Sequence, residues 1–468
     1  MAEHSLDGLP PIERALRGSL EDVFVHLREI QKANWPHLNV LMYDYTHIQR
    51  QRGEPPITRE VEGQSVTFNP SVMDTPESTQ KKIGQLIDRL AEQSPELSAL
   101  LREYPQESRT SLTRDFNQLV TMTITPGLKR VQSIMPTADT FGAYMPVTAF
   151  IDQGIKEFDT LTLNGDGCTS CTRTGASLRS LHCAEQTPDA ARLQQLTRLY
   201  IGYHELAHAI DKNGRTTEAL SETGARFGKF YEPQVREIIG DGFATLMMVK
   251  GLGPEGQAFA QLWEATRSHP YMSLDHQTSG MIRTALDWAQ ENLQHLAQMT
   301  PADLMKQVVK LVPEQALTVH EAMQLDQFRN RLSQDFEGNV LDQPTMAARL
   351  QPAGLAQFVR ESDLSQSMPD LPTHPPVVQR LIRQLEQRDT LAETARQQLS
   401  ANNPLNTAQW QAQEAERAQS CSVALEADYL AKARAQLKAE TAVNAEPSAE
   451  ISPEPEAKRS TPRPAISP

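Results

Sequence analysis

The sequence predicts an α+β protein that is predominantly helical, with one small sheet near the middle of the chain. Three observations lead there. Apolar residues recur at helical spacing through much of the first 121 residues and again from about 254 to 440. The best strand segments, YMPVTAFI (144–151) and FDTLTL (158–163), lie together between those blocks and are rich in β-branched and aromatic residues. Two further helices follow the strands, and each sets imidazole or carboxylate side chains among apolar ones.

Residues 10–34 read as helix. Leu20, Val23, Phe24, Leu27 and Ile30 fall at helical spacing, with Ser19 and Asp22 as an N-cap pair. The segment 50–76 is rich in Pro, Thr, Glu and Gly and reads as a long loop with a short strand at SVTF. Helical patterns return at 77–103 and 107–121, ahead of the two strands. A polar loop from about 164 to 186 then carries three of the four cysteines. Thr187 caps the next helix, Pro188 suits its first turn, and Leu193, Leu196, Tyr200, Tyr203 and Ala207 supply an apolar stripe. After an irregular stretch at 214–231, a second helix starts near Pro233 and stops at Gly251. Helical periodicity from 254 to 440 breaks at Pro-containing joints near 301, 313, 343–352 and 369–376, and 377–440 reads as a long helical hairpin. The last 28 residues hold six prolines and scarcely a core-forming side chain, so they read as disordered. There is no internal repeat. The expected organisation is a helical region at 1–130, a core at 131–300, a second helical region at 301–440 and a tail at 441–468.

Composition narrows the function. A chain of 468 residues with 39% hydrophobic and 22% charged content can bury a sizeable core. Net charge of −14 and a pI near 5.4 argue against nucleic-acid binding, which needs a basic face. Four cysteines are too few for a disulfide-built scaffold. The N-terminal residues show no secretory signal and no segment approaches a membrane span, so a reducing cytoplasm is the expected compartment. Export by a non-classical route, to act on another cell's proteins, is the alternative. Oligomeric state is left open.

The chemistry concentrates in YHELAHAIDKNG, residues 203–214. Helical residues four apart differ by one turn plus about 40°, so His204 and His208 project from one face. That spacing lets two imidazoles bind one Zn²⁺, while Glu205 is turned off the metal line yet near enough to meet a water there. A catalytic zinc needs a third protein ligand and an open position. Glu237 and Asp241 again stand four apart, beside Ile238, Ile239 and Phe243. Burying two acids on an apolar helix is costly unless a positive partner waits there, and zinc would be that partner. Gly240 and Gly242 thin the surface of this helix for a close approach to the first.

HExxH on one helix followed by ExxxD on a later one resembles the gluzincin branch of the zincin metallopeptidases, of which thermolysin is a member. The resemblance covers roughly 190–251. It implies a zincin-like catalytic core, with a small sheet and two active-site helices, within 131–300. It implies one Zn²⁺ per chain held by His204, His208 and Glu237, with Glu205 as general base and Asp241 orienting His204 from behind. Such enzymes usually add a residue that supports the oxyanion. SHPYMSLDHQTSGMIR (268–283) offers His269, Tyr271, His276 and Arg283, and His269 is the choice for that catalytic role.

Two other motifs carry less. Cys168, Cys171 and Cys183, with His182, could be arranged around a second zinc, although free or redox-labile thiols fit better because adjacent His182 and Cys183 rarely reach one metal. GAYMP (142–146) lies where related aminopeptidases carry GxMEN, and it lacks the Glu and Asn that would hold a free substrate N-terminus. That favours an endopeptidase acting on a protein or peptide substrate, to which the strand could offer an edge. The alternatives are a catalytically inactive interaction protein on the same fold, or a zinc hydrolase of a non-peptide amide.

Overall fold

Gly18 and Ser19 divide the first helical stretch in two. The hydroxyl of Ser19 accepts from the Asp22 amide while Asp22 Oδ2 accepts from the Ser19 amide at 2.7 Å, which starts a new helix at Leu20. Helix α1 is therefore Pro11–Arg17 and α2 is Leu20–Asn34, where the periodicity suggested one element. The computed structural model describes residues 9–44, 57–68, 76–122, 142–151, 154–163, 187–211, 230–268, 274–327 and 376–445, and the architecture below is that of these residues.

Strand β1 (Val40–Asp44) follows α2. Strands β2 (Ile57–Val61) and β3 (Gln64–Phe68) form a hairpin closed by Glu62 and Gly63, both at positive φ (53° and 79°). Two consecutive left-handed residues match the twist of the flanking strands, and this hairpin occupies part of what reads as a long loop. Helices α3 (Pro76–Gln93), α4 (Pro95–Glu103) and α5 (Pro105–Met122) come next. Ser94 caps α4 through the Leu97 amide, so 77–103 is also two helices.

Strands β4 (Gly142–Ile151) and β5 (Gly154–Leu163) pair antiparallel, and β1 joins the other side of β5 in parallel, giving the order β1-β5-β4. Side chains alternate between two cores. Val40, Met42, Leu161 and Leu163 belong to the core of the later helices. Leu41, Tyr43, Val147, Ala149 and Phe158 pack with α3, α4 and α5.

The main core is built on α6 (Pro188–Ile210) and α7 (Glu232–Leu252), surrounded by α8 (Pro254–Arg267), α9 (Ser279–Glu291), α10 (Leu293–Gln298) and α11 (Pro301–Gln315). Arg192 of α6, 2% exposed, makes a two-point pair with Glu255 of α8 (2.8 and 2.7 Å) and also reaches Glu13 of α1. It ties three helices together through one guanidinium. Helices α12 (Pro376–Ala401) and α13 (Ala408–Ala445) do not pack on each other as a helical hairpin. Helix α12 lies along α8, where Arg388 Nε donates to the Ala265 carbonyl at 2.7 Å. Helix α13 covers the β2–β3 hairpin through Tyr429 and Ala433 against Val61 and Val66, and it continues to Ala445, inside the expected tail. Cys421 on α13 is disulfide-bonded; Cys168, Cys171 and Cys183 lie outside the described residues. No helix among the described residues is long and apolar enough to cross a membrane.

Candidate metal centre

Thr187 accepts from the Ala190 amide at 3.2 Å and fixes the start of α6, so that HELAH falls in its last two turns. That end of the helix is inside the protein: His204 is 3% and Glu205 7% exposed. Helix α7 crosses it closely because Gly240 has no side chain. A Cβ built there would stand 2.7 Å from two atoms of the His204 ring. Gly242 serves other neighbours, Met281 on α9 and Val308 on α11, rather than α6.

The approach brings Glu237 to the two histidines. His204 Nε2 lies 3.1 Å from His208 Nε2 and 3.1 Å from Glu237 Oε2, and His208 Nε2 lies 3.5 Å from Glu237 Oε1. The three side chains form a group that could hold a metal ion. Tetrahedral bonds of about 2.0–2.1 Å to zinc would space neighbouring ligand atoms about 3.3 Å apart, and the observed separations straddle that value.

The protonation pattern supports the same reading. His204 Nδ1 is 2.8 Å from Asp241 Oδ1. A carboxylate only accepts, so Nδ1 carries a hydrogen, and in the neutral ring Nε2 presents its lone pair toward the other two side chains. Glu237 Oε2 is buried and receives no directed hydrogen bond, although His204 and His276 are both within 3.2 Å. The inward-facing nitrogen and oxygen atoms share too few hydrogens to satisfy one another, which suits them to a cation.

Asp241 is fully buried and surrounded by donors from three other elements. Arg267, at the end of α8, forms an ion pair at 2.9 Å from Nε to Oδ2, with Nη2 3.3 Å from Oδ1. Thr278 Oγ1 donates to Oδ2, and the Tyr200 hydroxyl lies 3.3 Å from Oδ1. Burial alone would push the Asp241 carboxyl up, but Arg267 and His204 outweigh it and hold it well below the usual carboxylate range. Burial likewise opposes charge on His204, yet Asp241 and Glu237 overcome it and raise its pKa to about 10. Glu237 is also held well below the usual range against its burial, by His276 first and then by His204 and His208. Without a metal the cluster therefore attracts a proton to His204, and a metal ion would compete with that proton for Nε2.

Of the residues singled out as oxyanion supports, His269 and Tyr271 lie outside the described residues. His276 stands at the rim, with Nε2 3.2 Å from Glu237 Oε2 and Nδ1 3.2 Å from Asp275 Oδ1. Arg283 is turned to Glu264 on α8, at 3.0 Å from both Nε and Nη2, and does not join the site. Arg267, Thr278 and Tyr200 were not expected there. Tyr200 reads as one more member of the apolar stripe, although its place one turn before His204 puts its hydroxyl beside the same carboxylate. No protein-family model, curated protein or solved structure matches this chain.

Proposed function

We propose that the protein is a zinc-dependent metallopeptidase of the endopeptidase type, with His204, His208 and Glu237 holding the ion. The observation that carries this reading is the convergence of His204 Nε2, His208 Nε2 and the Glu237 carboxylate at metal-ligand spacing, with Asp241 holding His204 Nδ1. Zinc bound to such a set supplies Lewis-acid polarisation of a carbonyl and of water.

The chain's own residues supply the rest. Glu205, next to His204 and largely enclosed, accepts the proton of the attacking water on a carboxylate oxygen and returns it to the leaving amine nitrogen. Asp241, held by Arg267, Thr278 and Tyr200, keeps the His204 ring from rotating away from the ligand position. Helices α6 and α7 carry these groups, and we read them as the two active-site helices of a zincin-like core, as the HExxH and ExxxD resemblance implies. The test is metal content of the purified protein, together with a proteome-wide search for new N-termini made by wild type but not by Glu205→Gln. A protein without bound zinc, or N-termini shared by both forms, would overturn the reading.

A further inference from the structure

The sheet has two outer edges, and a helix side chain caps one residue on each. On β1, the side-chain amide of Gln93 from α3 accepts from Met42 N at 3.0 Å and donates to Met42 O at 2.8 Å. It completes the hydrogen bonding that a neighbouring strand would otherwise provide. On β4, Asp115 of α5 accepts at one oxygen, Oδ2, from both the amide and the hydroxyl of Thr148, each at 2.7 Å. Asp115 is 8% exposed and also pairs with Arg114 at 2.9 Å.

Register shows how much of β4 this removes. The β4–β5 ladder is continuous from Gly142 opposite Leu163 to Ile151 opposite Gly154. Main-chain groups alternate sides along a strand, so the outward direction of the Thr148 amide fixes that of Phe150, Pro146, Tyr144 and Gly142. Pro146 has no N–H to offer. The outward row is thus capped at 148 and lacks a donor at 146. Gly142 and Tyr144 stand at the opposite end, beside Leu163 and Leu161 of β5, whose side chains pack in the core of α6 and α7. The closed end lies over α5, where Val147 and Ala149 join the other core.

We infer that Asp115 is a specificity-determining residue: with Pro146 it interrupts the outward row of β4 at 146–148, so that an extended peptide pairing from Gly142–Tyr144 cannot continue along the strand. This rests on the peptidase reading. A substrate would then be gripped through its main chain over a short stretch on one side of the bond to be cut, and longer β-strand pairing would be excluded.

Site-resolved amide hydrogen exchange on the full chain carrying Glu205→Gln tests the closure without requiring activity. The Thr148 amide should exchange at least tenfold more slowly than that of Tyr144. Asp115→Ala should remove the difference, while Asp115→Asn, which keeps an acceptor, should retain most of it. Equal rates at Thr148 and Tyr144 with Asp115 intact would overturn the inference. In the otherwise wild-type chain, Asp115→Ala should broaden the set of terminally blocked, randomised decapeptides that are cut. An unchanged set would overturn the specificity role even if the amide is released. If wild type cuts none, the peptidase reading fails, and the specificity role fails with it.

Discussion

The ring of His204 rests against the bare backbone of Gly240, so the two helices that carry the candidate ligands touch at a point where no side chain fits. Gly240→Ala therefore forces the imidazole or the helix to move. Overpacking of this kind costs about 1–3 kcal/mol. Because the displaced group is a candidate ligand, metal affinity should also fall by about tenfold or more. Denaturant titration and competition with a zinc chelator measure the two effects, and an alanine variant with wild-type affinity would refute the close contact.

Glu237 and Asp241 should separate on mutation. Glu237→Ala removes a member of the candidate ligand triad and should abolish zinc binding. Asp241→Asn leaves the triad intact and loosens His204, a change that typically costs about 10–100-fold in affinity or activity. The opposite ordering in metal titrations would make Asp241 the third ligand.

Glu205→Gln should retain zinc and thermal stability while losing hydrolysis, since an amide cannot take a proton from water at neutral pH. Rates within a few-fold of wild type would exclude Glu205 as the base.

His26 provides a pH test away from the metal. Its Nε2 lies 2.8 Å from the Tyr203 hydroxyl, and burial lowers its pKa from 6.5 to about 4. The unfolded chain takes up this proton as pH falls below 6.5, whereas the folded chain resists until about 4. Stability from this group is thus complete above pH 6.5 and drains away between 6.5 and 4, by at most about 3 kcal/mol. His26→Gln should flatten that acid slope in denaturant midpoints measured at pH 7 and pH 4.5. A slope identical to that of wild type would show that His26 is not responsible.

What could be read from the sequence was local. Capping pairs such as Ser19–Asp22, and the four-residue spacings of His204 with His208 and of Glu237 with Asp241, depend on helix geometry alone, whereas the meeting of the two pairs was expected only from the family resemblance. The surroundings of Asp241 were not legible. Arg267, Thr278 and Tyr200 lie 26, 37 and 41 residues from it in the chain, and no periodic pattern links them. Strand β1 escaped notice for a different reason. Val40 and Met42 enter one core and Leu41 and Tyr43 the other, so the strand is apolar on both faces and lacks the alternation that marks a half-buried one.

The pairing of the β2–β3 hairpin with α13 bears on how the chain is made. Arg59 meets Glu426 at 3.1 Å across 367 residues, and Gln436 reaches the Thr67 carbonyl across 369. During synthesis the hairpin emerges well before its cover, well over three hundred residues ahead of it. At about 5–20 residues per second, Val61 and Val66 wait roughly 20–70 seconds for Tyr429 and Ala433. The residues around the candidate metal site have all been synthesised long before that, since the last of them, Thr278, precedes α13 by well over a hundred positions. The site can thus form on a nascent chain whose β2–β3 hairpin is still uncovered, and that hairpin is the surface a chaperone would have to shield until α13 is made.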